Sequence, residues 1–126
     1  MGILNGSVGR GGTNRSSDVK LVQLLLNDWL GRKGARLLVV DGLAGPLTNG
    51  AIAQFQTACR LITDGRVDPD KSTIRSLTAS HVASLQAGMR PLAGAPLEAG
   101  AGPNATPDGA FTQALERYFT ALRDAL

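Results

Sequence analysis

The sequence predicts an all-α fold, in which a small three-helix bundle with short extended loops is followed by one additional amphipathic helix. Three observations predict it. Apolar residues recur at helical spacing in several stretches. Two of these stretches follow turns with the same order of Asp-Gly, an apolar residue, proline and threonine. A stretch rich in proline, glycine and alanine then precedes the last helix. The predicted organisation is an irregular lead-in (1–16), a domain (17–87), a linker (88–107) and a C-terminal helix (108–126).

The first helix is predicted from about Asp18 to Leu30, because one apolar stripe runs through this stretch at helical spacing. Trp29 continues the stripe, which favours a place in the core or at its edge over a sugar-stacking platform. Three polar side chains fall outside the stripe: Lys20, Gln23 and Asn27. Three residues at its start are candidate caps, because their side chains accept hydrogen bonds from free helix amides: Ser16, Ser17 and Asp18.

A first loop-to-helix junction follows. An apolar extended run over 37–40 leads into Asp41-Gly42, a turn dipeptide. Pro46 has a fixed φ that suits the first turn of a helix. A second helix is therefore predicted from Pro46, or the residue after it, to Arg60.

A second junction repeats this order further along the chain. Asp64-Gly65 is again followed by an apolar residue, a proline and a threonine. The copy differs in that Asp68 stands where the first junction has Gly45. Ser72 is a candidate cap for a third helix.

The last predicted helix has a continuous apolar stripe with Asp108 as a candidate cap. Such a stripe has to be buried, and three ways are open: it folds back on the domain, meets a second copy of the chain, or docks on another protein. The candidate partner-binding residues are Phe111, Leu115, Tyr118, Phe119 and Leu122.

Three segments in this order resemble the peptidoglycan-binding domain 1 family: SVGRGGTNRSSDVKLVQLLLN, DGLAGPLTNGAIAQFQ and DGRVDPDKSTIRSL. The resemblance covers about residues 7–78. It implies a three-helix domain that holds cell-wall polymer, the murein, in a shallow groove lined by the helix-initiating loops. The candidate ligand-binding residues flank these loops: Asp41, Gly42, Leu43, Gly45, Thr48, Gln54, Arg60, Asp64, Gly65 and Arg66.

Most of these candidates also have a structural interpretation. The aspartates and glycines of both turns are needed to form the turns whether or not the domain binds a ligand. Arg60 and Arg66 are more specific candidates, because an exposed arginine contributes little to folding but can bind a carboxylate through two hydrogen bonds.

The sequence does not predict an enzyme. The two glutamates fall in the linker and on the polar face of the last helix, so no carboxylate pair for glycoside hydrolysis is apparent. One histidine, His81, and one cysteine, Cys59, are too few for a zinc site. We therefore expect no catalytic residues, metal or cofactor. Cys59 is predicted to be a small buried side chain on the second helix.

Charge and hydropathy limit the partners. The net charge is +3, and the basic residues are scattered, which argues against nucleic acid and suits an anionic wall polymer. No stretch is long and apolar enough for a membrane span, and the N-terminus lacks the pattern of a secretory signal peptide. The expected location is the cell envelope or periplasm, reached without such a signal, or the cytoplasm before release.

The sequence thus predicts a non-catalytic protein that targets or anchors itself, or a partner, to peptidoglycan. The alternative is an accessory module of a bacterial secretion or phage apparatus, which uses the same scaffold and binds a protein partner or a second copy through its C-terminal helix.

Overall fold

The computed structural model of the protein describes residues 3–85 and 109–126, with side chains in the second range from residue 117 onward. This part of the chain contains four helices and one pair of two-residue strands, which confirms the predicted all-α bundle with an additional C-terminal helix. The predicted linker lies outside the described residues. The elements in chain order are β1 (Val8–Gly9), α1 (Ser16–Arg32), α2 (Pro46–Ala58), β2 (Arg66–Val67), α3 (72–85) and α4 (Gly109–Ala125).

Helix α1 is central to the fold and contacts α2, α4 and β1. It contributes more buried apolar side chains than any other described element, because its apolar residues cover more than one face. The prediction that Trp29 lies at the core edge is confirmed: its ring is partly buried and meets the Phe55 ring edge-on, with 5.2 Å between the centroids. The buried apolar residues of α1 are Val19, Leu21, Val22, Leu25, Leu26 and Leu30.

The start of α1 differs from the prediction. Its N-cap residue is Arg15, and no side chain caps the helix by a hydrogen bond. Asp18, one of the predicted caps, is fully buried, and its carboxylate accepts hydrogen bonds from the amides of Asn5 and Gly6 instead. The carboxylate therefore connects the helix to the preceding segment, which the helical pattern alone does not indicate.

That preceding segment belongs to the core, although it was predicted to be an irregular lead-in. Leu4 and Val8 are buried, and β1 pairs antiparallel with β2, so that Val8 lies opposite Val67. Each strand has only two residues, too few to show the alternating pattern by which strands are recognised in a sequence. The core therefore includes residues that precede the first helix in the chain.

After α1, residues 35–40 form neither a helix nor a strand, and the run over 37–40 that was predicted to be extended lies within this stretch. Gly34, with φ +74°, ends the helix, and the amide of Ala35 donates to the carbonyl of Leu30. The side-chain amide of Asn27 then holds Leu38: its oxygen accepts from the Leu38 amide at 2.7 Å, and its nitrogen donates to the Leu38 carbonyl at 2.9 Å. A side chain therefore makes the two main-chain hydrogen bonds that a neighbouring strand would make.

Helix α4 folds back on α1. Phe119 is fully buried in the common core, and Leu122 packs against that core. Arg123, which is 8% exposed, donates from Nη1 to the carbonyl of Ile3 at 2.6 Å, and Lys20 donates from Nζ to the main-chain oxygen of Leu126 at 2.9 Å. Of the three possibilities for the C-terminal stripe, the described part shows the first.

Two further sequence predictions have clear outcomes. Cys59 is exposed, contrary to the predicted buried position, because α2 ends at Ala58 and Cys59 is its C-cap residue. None of the helices in the described ranges combines the length and apolarity needed to cross a membrane.

Candidate functional site

The first junction is organised by Gln23, which α1 places against the Asp41-Gly42 turn. Only 1% of Gln23 is exposed. Its Oε1 accepts hydrogen bonds from the amides of Asp41 and Gly42, both at 3.0 Å. Its Nε2 lies 3.0 Å from Asp41 Oδ1. The same nitrogen lies 3.1 Å from the carbonyl oxygen of Leu43 and 3.1 Å from Thr48 Oγ1. One side chain thereby joins α1, the turn and the first turn of α2.

The second junction has the same arrangement around Gln56. This residue is also 1% exposed, and its Oε1 accepts from the amide of Gly65 at 2.9 Å. Its Nε2 faces Asp64 Oδ1 and the carbonyl of Arg66, both at 2.9 Å, and Thr73 Oγ1 at 3.1 Å. The acceptors are thus the same as in the first junction: an aspartate, the carbonyl two residues after it, and a threonine of the next helix.

Each turn requires its glycine. Gly42 has φ +80° and Gly65 has φ +70°, a region that side chains disfavour. A Cβ on Gly42 would also collide with the hydroxyl of Ser16 in α1. These glycines let the turn amides approach the glutamine oxygens and let the first turn lie directly on α1.

A related contact precedes α1. The amides of Asn5 and Gly6 donate to the two carboxylate oxygens of Asp18 at 3.1 and 2.9 Å, much as a turn amide donates to the glutamine oxygen in each junction. Asn5-Gly6 also stands two residues before Val8, and Val8 pairs with Val67, two residues after Gly65. The N-terminal segment therefore has the outline of a third turn, held by a carboxylate rather than an amide.

Both turn aspartates are held in their charged form. Hydrogen bonds from the Leu43 amide and from Gln23 lower the pKa of Asp41 below its ordinary value. The pKa of Asp64 is lowered by the hydrogen bond from Gln56 and, to a lesser extent, from the Arg66 amide. These carboxylates accept hydrogen bonds from their own loops, which is a structural use of their charge.

The structure places several predicted ligand-binding residues in this framework. Asp41 and Asp64 accept hydrogen bonds from their loops, Gly45 is the N-cap residue of α2, and Thr48 is 4% exposed. The two junctions do not form one cluster. They hold opposite ends of α2, and the eight residues from Thr48 to Gln56 correspond to about 12 Å along the helix.

Other candidates remain accessible. Leu43 is 70% exposed, and Gln54 and Arg60 are also exposed. Arg60 has φ +60° just after α2, at a helix end that glycine normally occupies. Arg66 is only partly available, because its guanidinium forms an ion pair with Asp68, with 2.9 Å between Nε and Oδ1.

The first junction also exposes apolar surface that the sequence analysis did not single out. Three further apolar residues near this junction are exposed: Leu37 (54%), Val39 (74%) and Leu47 (73%). With Leu43, they lie between the end of α1 and the first turn of α2. Exposed apolar side chains clustered along one segment are typical of a contact surface.

The contacts of the two buried glutamines with the turns were not predicted from the sequence. Gln23 was placed outside the apolar stripe of its helix, and Gln56 was not considered. A signal was present, since each glutamine directly follows an apolar residue of the stripe and is followed by an Asp-Gly turn. The separations along the chain, 18 residues from Gln23 to Asp41 and 8 from Gln56 to Asp64, differ too much to reveal the common contact.

The predicted partner-binding residues have different surroundings. Phe119 and Leu122 pack into the domain itself, whereas Tyr118 is 43% exposed and lies with its hydroxyl 3.1 Å from His81 Nε2. The side chains of Phe111 and Leu115 lie outside the described residues. That these residues bind a partner stays a prediction. Because Phe119 is buried, it would have to leave the core to contact a partner.

Within the described ranges, no group of three or more His, Cys, Asp or Glu side chains is placed to hold a metal ion. The arrangement at the junctions is a hydrogen-bonded scaffold that presents loops, rather than a set of groups aimed at a reacting atom.

The matched part of the chain was found by comparison with known protein families. Residues 15–74 match the model of a family described as "Putative peptidoglycan binding domain". The matched range runs from the N-cap of α1 into the first turn of α3 and includes both junctions. No curated protein and no solved structure matches the chain significantly.

Proposed function

Because residues 15–74 match the model of a peptidoglycan-binding family, we propose that the protein is a non-catalytic module that attaches itself, or a partner, to the cell wall. The observation that carries the proposal is the family match over the two junctions. The two junctions, which belong to the second and third segments of the resemblance, are built into one scaffold that presents their loops at opposite ends of α2. The proposed site of action is the peptidoglycan layer of the envelope.

Two surface properties support this role. The loop of the first junction exposes apolar side chains, which can pack against the apolar faces of sugars or the alanine side chains of stem peptides. The net charge of +3 favours association with carboxylates. A shallow surface of this kind makes few contacts, so we expect weak binding at one site and stronger retention on a polymer that offers many sites.

Co-sedimentation with purified insoluble peptidoglycan tests the proposal. The full chain is expected to sediment with the polymer at low salt, and Leu43→Ser should weaken retention by about threefold to tenfold, because burying a leucine side chain contributes about 1.5–3 kcal/mol when complete. Leu85→Ser, the same substitution at another exposed leucine, is the control. Absence of sedimentation at low salt would contradict the proposal.

The non-catalytic part has a separate test. A suspension of cell walls should keep its turbidity when the protein is added alone. Loss of turbidity would show that the protein cleaves the polymer and would overturn this part of the proposal while leaving wall binding intact.

The alternative role, as an accessory module of a phage or secretion apparatus, depends on α4. Because Phe119 is buried in the core, a partner would contact the exposed face of α4, which includes Arg117 and Tyr118. The two roles are compatible, since an anchor requires both a wall contact and something to carry.

A further inference from the structure

A second accessible surface lies at the C-terminal ends of α1 and α2, and its lining residues do not include the exposed leucines of the first junction. It is an open groove of about 470 Å³, which we call the Lys33 groove. Lys33 directly follows α1, and the remaining lining residues come from the outer face of α2. The groove is lined by Lys33, Ala53, Gln54, Thr57 and Ala58.

The charge in this groove is uncompensated. No acidic side chain lines it, and Lys33 forms no ion pair with any residue in ranges 3–85 and 117–126. The ammonium group lies 4.3 Å from the ring centroid of Trp29, a cation–π contact that keeps the charge at one end of the groove. The groove therefore favours an anionic ligand.

The other lining groups specify the rest of the ligand. The amide of Gln54 and the hydroxyl of Thr57 donate and accept hydrogen bonds, and the two alanines provide a low apolar floor. Thr63 extends the polar edge, because its hydroxyl lies 3.1 Å from that of Thr57. Hydroxyl groups, an apolar ring face and one carboxylate are the features of an acidic saccharide.

We propose that the Lys33 groove binds a saccharide unit bearing a free carboxylate, with Lys33 pairing with the carboxylate while Gln54 and Thr57 bind hydroxyl or acetamido groups. The inference rests on the proposed function for the identity of that unit: it is a muramic acid residue of the glycan strand whose lactyl carboxylate is free of a stem peptide. The module would then recognise glycan from which peptides have been removed.

The test compares two sugars by NMR on the full-length, isotopically labelled protein. N-acetylmuramic acid carries the lactyl carboxylate, and N-acetylglucosamine lacks it. Shifts at the amides of Ala53 and Thr57 and at the indole of Trp29, the single tryptophan of the chain, are expected with N-acetylmuramic acid. Affinity for N-acetylglucosamine should be about threefold to tenfold lower, as expected for loss of one exposed charge pair with hydrogen bonding.

Three lysine variants make the test specific. Lys33→Met keeps an aliphatic side chain over Trp29 but removes the charge, and it should abolish the preference for N-acetylmuramic acid. Lys33→Arg should retain it. Lys71→Met, the same charge change at an exposed position outside the groove, should bind like the unaltered protein. Equal binding of the two sugars, an unchanged preference in Lys33→Met, or shifts confined to other surfaces would each overturn the inference.

A sedimentation assay separates failure of this inference from failure of the proposed function. Insoluble peptidoglycan from which an amidase has removed only part of the stem peptides should retain more protein than untreated polymer, and Lys33→Met should remove that difference. If the protein sediments equally with both polymers, it binds the wall but does not read the free carboxylate, so the inference is wrong while the proposed function stands.

Discussion

The chemistry of the two buried glutamines explains why this residue type is needed at both junctions. Oε1 accepts from two turn amides at Gln23 and from one at Gln56, while Nε2 shares its two hydrogens among an aspartate, a carbonyl and a threonine hydroxyl. A glutamate at either position would place a second negative charge beside Asp41 or Asp64, and a leucine would offer no hydrogen bond at all. An amide combines a donor and an acceptor at the end of a long side chain, and it carries no charge.

Replacing either glutamine by leucine is therefore expected to destabilise the fold strongly. Gln23→Leu and Gln56→Leu keep a similar volume but leave a threonine hydroxyl and at least one turn amide, that of Gly42 or Gly65, without their partners. Each unsatisfied buried group costs about 1–3 kcal/mol, so we expect the free energy of unfolding to fall by about 2–4 kcal/mol in each variant. Urea denaturation followed by circular dichroism measures this change.

Gln54→Leu is the matched control, since it makes the same substitution at an exposed glutamine of α2. Its free energy of unfolding should stay within about 0.5 kcal/mol of the unaltered protein. If the substitutions at Gln23 and Gln56 are as mild as this control, the hydrogen bonds do not hold the junctions together, and the loops owe their conformation to the apolar core.

Among the elements, α4 decides how far the folded unit extends beyond the family match. The match ends at residue 74, yet α4 contributes Phe119 to the core and Arg123 to a hydrogen bond with the carbonyl of Ile3. The helix thereby packs against α1 and adds an aromatic side chain to the core. We regard α4 as part of the domain's core, with its exposed face left for any partner.

Phe119→Ala should show this directly. Truncating a buried phenylalanine typically costs about 3–5 kcal/mol, so thermal unfolding should shift clearly downward. Deletion of residues 108–126 should lower stability further and speed hydrogen exchange in α1, because α1 loses the helix that packs against it.

Arg117→Ala, at an exposed position of the same helix, serves as the control and should leave the unfolding temperature nearly unchanged. An unchanged melting temperature and unchanged exchange in α1 after the deletion would instead mean that α4 is an independent arm, and would strengthen the accessory-module alternative.

At the scale of the whole molecule, the sequence predicted what depends on local spacing. The helices, the two loop-to-helix junctions and the edge position of Trp29 follow from periodic apolar residues and turn dipeptides, which are short-range signals. Contacts between distant segments were not predictable in this way. The pairing of Val8 with Val67, the burial of Asp18 and the role of Gln23 each join segments through polar or very short contacts that leave no period.

The candidate site divides in the same way. The sequence identified the residues of both turns, because the Asp-Gly order marks them. It did not separate those that form the scaffold, such as Asp41 and Thr48, from those left accessible, such as Leu43, since that distinction depends on which side chains the buried glutamines engage. The Lys33 groove was also not apparent, as it forms only when the ends of α1 and α2 meet.

The shared chemistry of the two junctions has a consequence for the stability of the whole protein in acid. The pKa values of Asp41 and Asp64 are lowered in the folded state, so near and below pH 4 the unfolded chain binds more protons than the folded one at these positions. Their contribution to stability is therefore complete above that pH and is lost as the pH falls through their lowered values. The free energy of unfolding should be flat near neutral pH and decline below about pH 4.

The variants Asp41→Asn and Asp64→Asn test this assignment. Each removes one titrating group while keeping an oxygen that can accept from its loop amide, so each should be less stable than the unaltered protein at pH 7 and should lose less stability on acidification. Asp70→Asn, outside the glutamine networks, should keep the original profile. Urea denaturation between pH 3 and pH 7 provides the measurement. If both junction variants parallel the unaltered protein across this range, other groups cause the decline, and the junction carboxylates do not depend on their charge to hold the loops.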